Sequence, residues 1–349
     1  MIQVRDSAIG HERGKTPSKS VQLLADESRV RPVGHSTMPE IPSADRDGSI
    51  DLPRKLEEDL IEIGSTLPAW SVEGTFLADS VIERYRAKLD SASLFGEIRG
   101  RLLSQLKGAA GGYAVMRLRN IAQALGVGDQ FLRLATAILA EVAIPFQPFQ
   151  RWPLWKEIGT NLNANPGLST GTGYNAFHMD LVNATQPPDY TTLLCVRPDP
   201  LGAGASILSN AREAVSRLTP SSRALLADVA YSYGGFFELS DVGEEYKPFP
   251  VLDGESEVSG FVRFTAKMLT ESGLGEAHAY AARKLADQMV AGQVAFTLQR
   301  GDLLIVNQHR WVHGREALAS GQHDVEPERR RLLLQLFLCD RGSAEPAPS

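Results

Sequence analysis

The sequence has few cysteines and no excess of positive charge, and both shortages exclude classes of protein. Only Cys195 and Cys339 occur among its 349 residues, so a disulfide scaffold or a zinc module of the CxxC type is excluded. The formal net charge is −6, which argues against a surface for nucleic acid or anionic membranes. Both cysteines lie in apolar runs, so we expect small buried side chains in a reducing, cytoplasmic compartment.

Long apolar runs are also missing. The most apolar stretch, residues 131–146, is interrupted by Arg133 and Glu141 and is too short to cross a bilayer. The N-terminus lacks the apolar core of a secretory signal. No phosphate-binding Walker loop or HExxH helix is present. We therefore expect neither a membrane partner nor these common catalytic machineries.

The first 50 residues differ in composition from the rest. They are rich in Ser, Arg, Asp, Pro and Gly and show no lasting apolar period. Such a segment cannot bury enough surface to offset its ordering entropy. We expect a flexible tail over residues 1–50, or one with a short strand docked on the body, before a single domain over 51–345. Within that domain, the long aperiodic segment 234–262 is a candidate lid.

Helical periodicity dominates the first half of the domain, and short apolar strands dominate the second half. Apolar spacing predicts helices over residues 52–64, 76–89, 92–106, 129–142, 211–218, 221–230 and 276–290. Short runs rich in β-branched and other apolar residues predict strands over residues 113–119, 158–163, 190–196, 206–208, 293–298, 303–306 and 332–338. This order indicates an α+β domain in which a barrel or double sheet is flanked by helices.

A His-x-Asp pair, His178 and Asp180, lies in the stretch Gly-Tyr-Asn-Ala-Phe-His-Met-Asp at residues 173–180. Two residues apart on a strand, their side chains would share one face, where an imidazole and a carboxylate can hold one metal ion. A second imidazole would complete a 2-His-1-carboxylate facial triad, which leaves one side of an iron(II) ion open. An isolated His-x-Asp is more often two polar residues on a half-exposed strand, so the pattern needs a third ligand.

Residues 300–315 supply two candidates for that ligand. Gly301-Asp302 is typical of a turn, residues 303–306 of a buried strand, and a polar segment with His309 and His313 follows. Either imidazole could complete the triad on chemistry alone.

Together, His178-x-Asp180, the distal His313-Gly314-Arg315 and the basic strand after it resemble the iron(II)/2-oxoglutarate-dependent oxygenases. The resemblance is strongest to their TauD and clavaminate-synthase-like branch and covers about residues 110–340. It implies a double-stranded β-helix, a jelly-roll or cupin-like core with flanking helices, and a metal inside its open end. It also implies that His313, directly before Gly-Arg, is the distal ligand, so that His178, Asp180 and His313 hold iron(II) and His309 does not.

The same resemblance implies a site for 2-oxoglutarate, whose C5 carboxylate needs a cation. Arginine suits a carboxylate because its fork can bind both oxygens. Arg331, at the start of the apolar strand 332–338, matches the family position best, and Arg330 beside it is the alternative. Ser206 falls where relatives have a hydroxyl that shares this carboxylate.

Departures from the family pattern concern the substrate. Many relatives carry a second arginine four residues after the first, but this chain has Gln335, which disfavours a sulfonate or similar anion at that position. The loop 316–328 is longer than the pattern leads us to expect, and close amino-acid hydroxylases often have Glu in place of Asp180. Gln335 and Asn183 are our candidate substrate contacts.

The resemblance implies an enzyme that uses iron(II), 2-oxoglutarate and O2. We expect it to hydroxylate an unactivated carbon of a small molecule, either an amino acid or a polar natural-product intermediate, free or carrier-bound. Desaturation, epoxidation or ring closure with the same triad are alternatives, and so is a non-catalytic jelly roll that binds a metal or ligand. The sequence leaves the oligomeric state unknown.

Overall fold

The structure, a computed structural model, describes residues 48–108, 111–184, 187–233, 248–253, 260–270 and 273–340. Most of the tail predicted over residues 1–50 lies outside these ranges. So do residues 234–247 and 254–259 of the candidate lid.

Amphipathic segments form helices where the apolar spacing predicts them, and one further short helix, Arg119–Leu125, forms without a clear apolar period. The helices are α1 Arg54–Thr66, α2 Asp79–Leu89, α3 Phe95–Lys107, α4 Arg119–Leu125, α5 Asp129–Ala140, α6 Ala211–Ser216, α7 Pro220–Ala227 and α8 Glu276–Ala291. In α6 and α7 the start is set by an N-cap, because Asn210 and Thr219 accept hydrogen bonds from backbone N–H groups of the first turn.

The strands are short, and most lie in the second half of the chain. They are β1 Ser49–Asp51, β2 Val72–Glu73, β3 Phe76–Leu77, β4 Tyr113–Arg117, β5 Ile144–Phe146, β6 Lys156–Gly159, β7 Asn175–His178, β8 Tyr190–Arg197, β9 Ser206–Asn210, β10 Leu252–Asp253, β11 Phe261–Val262, β12 Val294–Phe296, β13 Asp302–Asn307, β14 Trp311–Arg315 and β15 Leu332–Cys339.

Two sheets form the centre of the domain. The larger has the order β1-β4-β13-β8-β15-β5-β3-β2, with β6 also paired to β15, and the smaller has the order β12-β9-β14-β7. Neighbours in both are antiparallel, except that β1 runs parallel to β4. Neighbouring strands that are distant in sequence are typical of a jelly roll.

Alternate residues of the central strands enter different hydrophobic cores. On β8, Leu193 and Cys195 share a core with Leu208 of the smaller sheet, whereas Leu194 packs with the N-terminal helices. On β14, Val312 packs with α6, α7 and α8 on the outer face. Because side chains alternate along a strand, the inner faces of the two sheets share one interior and helices cover the outer faces. The predicted α+β jelly roll is thus confirmed.

Two predicted boundaries were wrong. The helix predicted from Phe76 begins at Asp79, because Phe76 pairs with Glu73 across a hairpin whose turn contains Gly74 at φ 64°. The polar segment after residue 306 contains an unpredicted strand, β14, which places His313 within a sheet.

Ser49–Asp51, at the end of the stretch predicted as a tail, form the strand β1 on the edge of the larger sheet. No helix in the described ranges combines the length and apolarity needed to cross a membrane.

Candidate active site

A cleft opens between the inner faces of the two sheets. Its volume is about 430 Å³ with the open mouth included. The smaller sheet contributes polar side chains from β7, β9 and β14, and the larger sheet contributes β6, β8 and β15. The lining residues are Ile158, Ser169, Asn175, His178, Asp180, Leu193, Ser206, His313, Gly314, Arg315, Arg331, Leu333 and Gln335. The cleft therefore brings together six of the seven site residues expected from the sequence.

Two imidazoles meet because their strands are neighbours in the smaller sheet. His178 ends β7 and pairs directly with His313 of β14. Their rings are 4.4 Å apart between centroids. The sequence separates these residues widely, and only the antiparallel pairing of β7 with β14 makes them adjacent.

The carboxylate reaches the same point from a turn. β7 ends at His178, so Asp180 is not on the strand, and the expectation that both residues share one strand was wrong. Asp180 Oδ1 nevertheless lies 4.0 Å from His178 Nε2, and its Oδ2 lies 3.4 Å from His313 Nε2. The ligand atoms of the three residues all lie within 4.8 Å of one another, a spacing that one metal ion can bridge.

The protonation states suit a divalent cation. Burial lowers the pKa of both His178 and His313, so the imidazoles are neutral. Burial alone would raise the pKa of Asp180, but the two histidines and a hydrogen bond from Thr191 outweigh it and lower that pKa. His178 Nδ1 lies 2.8 Å from the carbonyl of Ala176 and must donate to it, which leaves the lone pair on Nε2. Two neutral imidazoles and one carboxylate fit iron(II).

The same cleft contains a buried guanidinium that forms no ion pair with any described residue. Arg331 is 8% exposed, and its guanidinium makes no hydrogen bond or ion pair within the described ranges. Burial and the nearby Arg315 lower the pKa of Arg331 to about 10. Ser206 is also buried and lines the same cleft. A buried guanidinium facing a cleft needs an anionic partner, which suits the C5 carboxylate of 2-oxoglutarate.

The alternative anchor, Arg330, does not line this cleft. Its Nε donates to the carbonyl of Val325 at 2.9 Å.

Arg315 is a cleft residue that our sequence reasoning missed. It is 3% exposed, and its terminal nitrogens donate to the carbonyls of Glu316, Gly171 and Gly173. These bonds hold the loop that carries Ser169 against β14. Arg315 lies two residues after His313 on β14 and so shares its face, but this signal depends on a strand that the sequence did not predict.

The two expected substrate contacts differ in position. Gln335 lines the cleft, and its Nε2 donates to Asp180 Oδ2 at 3.0 Å. Asn183 is not among the cleft-lining residues, and its Nδ2 donates to the carbonyl of Tyr233 at 2.8 Å.

Lys267 is a second residue that the sequence did not indicate, because it lies in an irregular segment. It follows Thr265, which forms a β-bridge with His178, and it belongs to a 3₁₀ turn at Ala266–Thr270. Its ammonium makes no hydrogen bond or ion pair within the described residues. Its charge lowers the pKa of both histidines and interacts favourably with Asp180.

His309 lies away from the triad. Its Nε2 is 2.5 Å from Asp189 Oδ1, and its ring stacks on Phe261 with centroids 3.9 Å apart. The structure thus brings His313, and not His309, to His178 and Asp180.

Comparisons with known proteins agree with this geometry. The model of the family described as taurine catabolism dioxygenase TauD, TfdA family matches residues 92–336. No curated protein sequence matches the chain significantly.

Among solved structures, asparagine oxygenase with Fe(II), 2S,3S-3-hydroxyasparagine and succinate is similar at 20% identity and a TM-score of 0.67, covering 84% of this chain and 93% of that one. The non-heme iron oxygenase OrfP with Fe and alpha-ketoglutaric acid is similar at 17% identity and a TM-score of 0.67, covering 83% and 93%. OrfP with Fe, succinate and (3R,4R)-dihydroxy-L-Arg has a TM-score of 0.66 at 17% identity, covering 83% and 93%.

The chain belongs to the TauD, TfdA family of dioxygenases. The prediction of an iron(II)/2-oxoglutarate-dependent dioxygenase with a jelly-roll core is confirmed at the level of family and fold.

Proposed function

We propose that this protein hydroxylates an unactivated carbon of an amino acid, free or carrier-bound, or of a similar small polar natural-product intermediate. It would use iron(II), 2-oxoglutarate and O2. The observation that carries the proposal is the set of His178, Asp180 and His313, whose ligand atoms lie within 4.8 Å of one another. A facial set of this kind would leave the other side of an iron(II) ion open for 2-oxoglutarate and O2.

The three residues would act as the metal ligands. When bound, iron(II) would allow O2 to oxidise both the substrate and 2-oxoglutarate. A C–H hydrogen is replaced by a hydroxyl, and 2-oxoglutarate is converted to succinate and carbon dioxide. The protein's residues bind and orient the reactants. The imidazoles are already neutral and Asp180 is already ionised, so none of the three residues has to release a proton when the metal binds. Metal affinity is therefore not reduced by a cost of deprotonation.

Arg331 and Ser206 would hold the C5 carboxylate of 2-oxoglutarate. Both are buried and line the cleft that also contains the three ligands. A buried guanidinium forms two parallel hydrogen bonds to a carboxylate, and this fixes the orientation of the molecule as well as its affinity. The apolar side chains of Ile158, Leu193 and Leu333 line the same cleft and would limit the access of water to a bound 2-oxoglutarate.

The choice of an amino acid rests on two observations. The similar solved structures contain hydroxyasparagine or a hydroxylated arginine. Lys267, whose ammonium has no ion pair among the described residues, also acts on the charges of the triad, and it would bind the carboxylate of the substrate. Lys267 would then take the part of the substrate-facing arginine that many relatives carry where this chain has Gln335.

A cytoplasmic location is consistent with this chemistry. Cys195 is a buried cysteine outside any disulfide, as is usual in a reducing compartment. The same reducing conditions would keep the iron in its ferrous state.

The direct test is succinate release from 2-oxoglutarate under air with iron(II), in the presence of a panel of L-amino acids that includes asparagine and arginine. We expect at least one amino acid to increase the rate, and mass spectrometry to show its gain of one oxygen atom. Without O2, iron(II) and 2-oxoglutarate should give a weak visible charge-transfer band. His178→Ala should remove the band, whereas His323→Ala, at an exposed position, should keep it. Absence of both the band and succinate release in the unaltered protein would refute the proposal.

A further inference from the structure

Asp180 lacks the support that a sheet gives the two histidines. It lies in the turn after β7, and the next residue, Leu181, has a φ of 53°, which is unfavourable for a residue other than glycine. A ligand in such a turn needs other contacts to hold its carboxylate in one orientation.

Two buried glutamines provide these contacts. The backbone N–H of Asp180 donates to Gln308 Oε1 at 2.6 Å, and Gln308 Nε2 donates to the carbonyl of Pro188 at 2.8 Å. Gln335 Nε2 donates to Asp180 Oδ2 at 3.0 Å and to Thr191 Oγ1 at 3.2 Å. Gln308 thus holds the backbone of the turn, and Gln335 holds the carboxylate from the opposite sheet.

Both N–H donors of the Gln335 side-chain amide are engaged in these hydrogen bonds. A primary amide has two N–H donors, and here one goes to Asp180 and the other to Thr191. Gln335 is 5% exposed and Thr191 is fully buried. No N–H of Gln335 is left for a substrate, although its position in the cleft made it a candidate substrate contact.

We infer that Gln335 is a positioning residue: by holding Oδ2 of Asp180, it keeps the carboxylate in the orientation in which the other oxygen is free for the metal. This inference rests on the proposed function, since it concerns the same metal site. An ionised carboxylate only accepts hydrogen bonds, so the Gln335 amide stabilises the charged form that binds the metal. It also restrains rotation of Asp180, which would otherwise turn both oxygens toward the metal and occupy a position needed by the reactants.

Metal binding without 2-oxoglutarate or substrate tests the inference. Gln335→Met keeps the length of the side chain and removes the donor. Thr191→Val keeps the shape and removes a hydroxyl that both accepts from the Gln335 amide and hydrogen-bonds to Asp180. Gln322→Met is the matched control, because Gln322 is also buried and donates from Nε2 to an aspartate, Asp199 Oδ1, at 2.9 Å. Each protein is titrated anaerobically with iron(II), and with manganese(II) followed by its EPR signal.

We expect Gln335→Met to weaken the affinity for metal about 10- to 100-fold. Thr191→Val should weaken it less, in the same direction, and Gln322→Met should keep the affinity of the unaltered protein. The thermal stability of the metal-free Gln335 and Gln322 variants should be similar. A Gln335→Met protein that folds and binds metal within twofold of the unaltered protein would overturn the inference. If that variant does not fold, the same result for Thr191→Val would overturn it.

The two proposals fail in different ways. If the unaltered protein does not bind iron(II) at all, the proposed function fails. If it binds iron(II) and the variants bind it equally well while the KM of a substrate rises, Gln335 is a substrate contact and only this inference fails.

Discussion

Replacing Arg331 should change stability and co-substrate affinity in opposite directions. Arg331 is buried and forms no ion pair within the described part of the chain, and burial lowers its pKa from 12.5 to about 10 although Asp199 opposes this shift. At about 1.4 kcal/mol per pKa unit, the folded protein bears a cost of about 3 kcal/mol for keeping this charge. Arg331→Met removes the charge and keeps an unbranched apolar side chain.

The metal-free, ligand-free Arg331→Met protein should therefore unfold at a higher temperature. A gain of about 1 to 3 kcal/mol corresponds to a rise in Tm of about 2 to 6 °C for a domain of this size. The affinity for 2-oxoglutarate should fall at least about 30-fold, because losing one partner of a buried charged pair costs at least about 2 kcal/mol.

Calorimetry of the free protein measures the first effect, and anaerobic titration of the charge-transfer band with 2-oxoglutarate measures the second. Arg330→Met is the control, because Arg330 is half-buried, hydrogen-bonded to Val325 and outside the cleft. It should change neither quantity by more than about 0.5 kcal/mol. If Arg331→Met lowers Tm and leaves the affinity for 2-oxoglutarate unchanged, the arginine is structural and our reasoning about the anchor is wrong.

Three further predictions concern the choice of metal ligand, the pH dependence of stability and the affinity for substrate. His313→Ala should abolish substrate-dependent succinate release, while His309→Ala should retain it; the reverse result would show that the ligand was wrongly chosen. Because burial lowers the pKa of His178 well below 6.5, the unfolded chain binds a proton before the folded one, so the stability of the metal-free protein should be fully present above about pH 6.5 and fall below it. Urea unfolding at several pH values measures this, and a flat profile from pH 7 to 5 would contradict it. Lys267→Met should raise the KM for an amino-acid substrate about 10-fold or more with little change in KM for 2-oxoglutarate, whereas Lys284→Met, at an exposed position on α8, should change neither.

The fold was largely predictable from local patterns. Residues 129–142 were apolar and long enough for a helix, and α5 occupies Asp129–Ala140. Residues 303–306 and 332–338 alternate between two cores in the structure, and their apolar runs marked them as strands. The prediction failed where a local signal was overridden: Phe76 joins a sheet because it pairs across a hairpin and stacks on Phe146 at 5.6 Å.

The chemistry of the site was readable from residue types, but its geometry was not. The spacing of His178 and Asp180 indicated that they could be metal ligands. In the structure, however, Asp180 lies in the turn after β7 and not on the strand. The selection of His313 over His309 depended on family resemblance, and in the structure it follows from the pairing of β14 with β7. His309 lies just before β14 in the chain, and its imidazole pairs with Asp189 instead of approaching His178.

The sequence by itself determined the set of ligand types, the helices and most strands, because these depend on residue chemistry and on the short periods of local structure. The tertiary structure alone decided which glutamine amide contacts Asp180, which arginine is buried without an ion pair among the described residues, and that Lys267 acts on the triad. These facts depend on contacts between residues far apart in the chain, such as Gln335 and Asp180, and no local pattern encodes the distance between them.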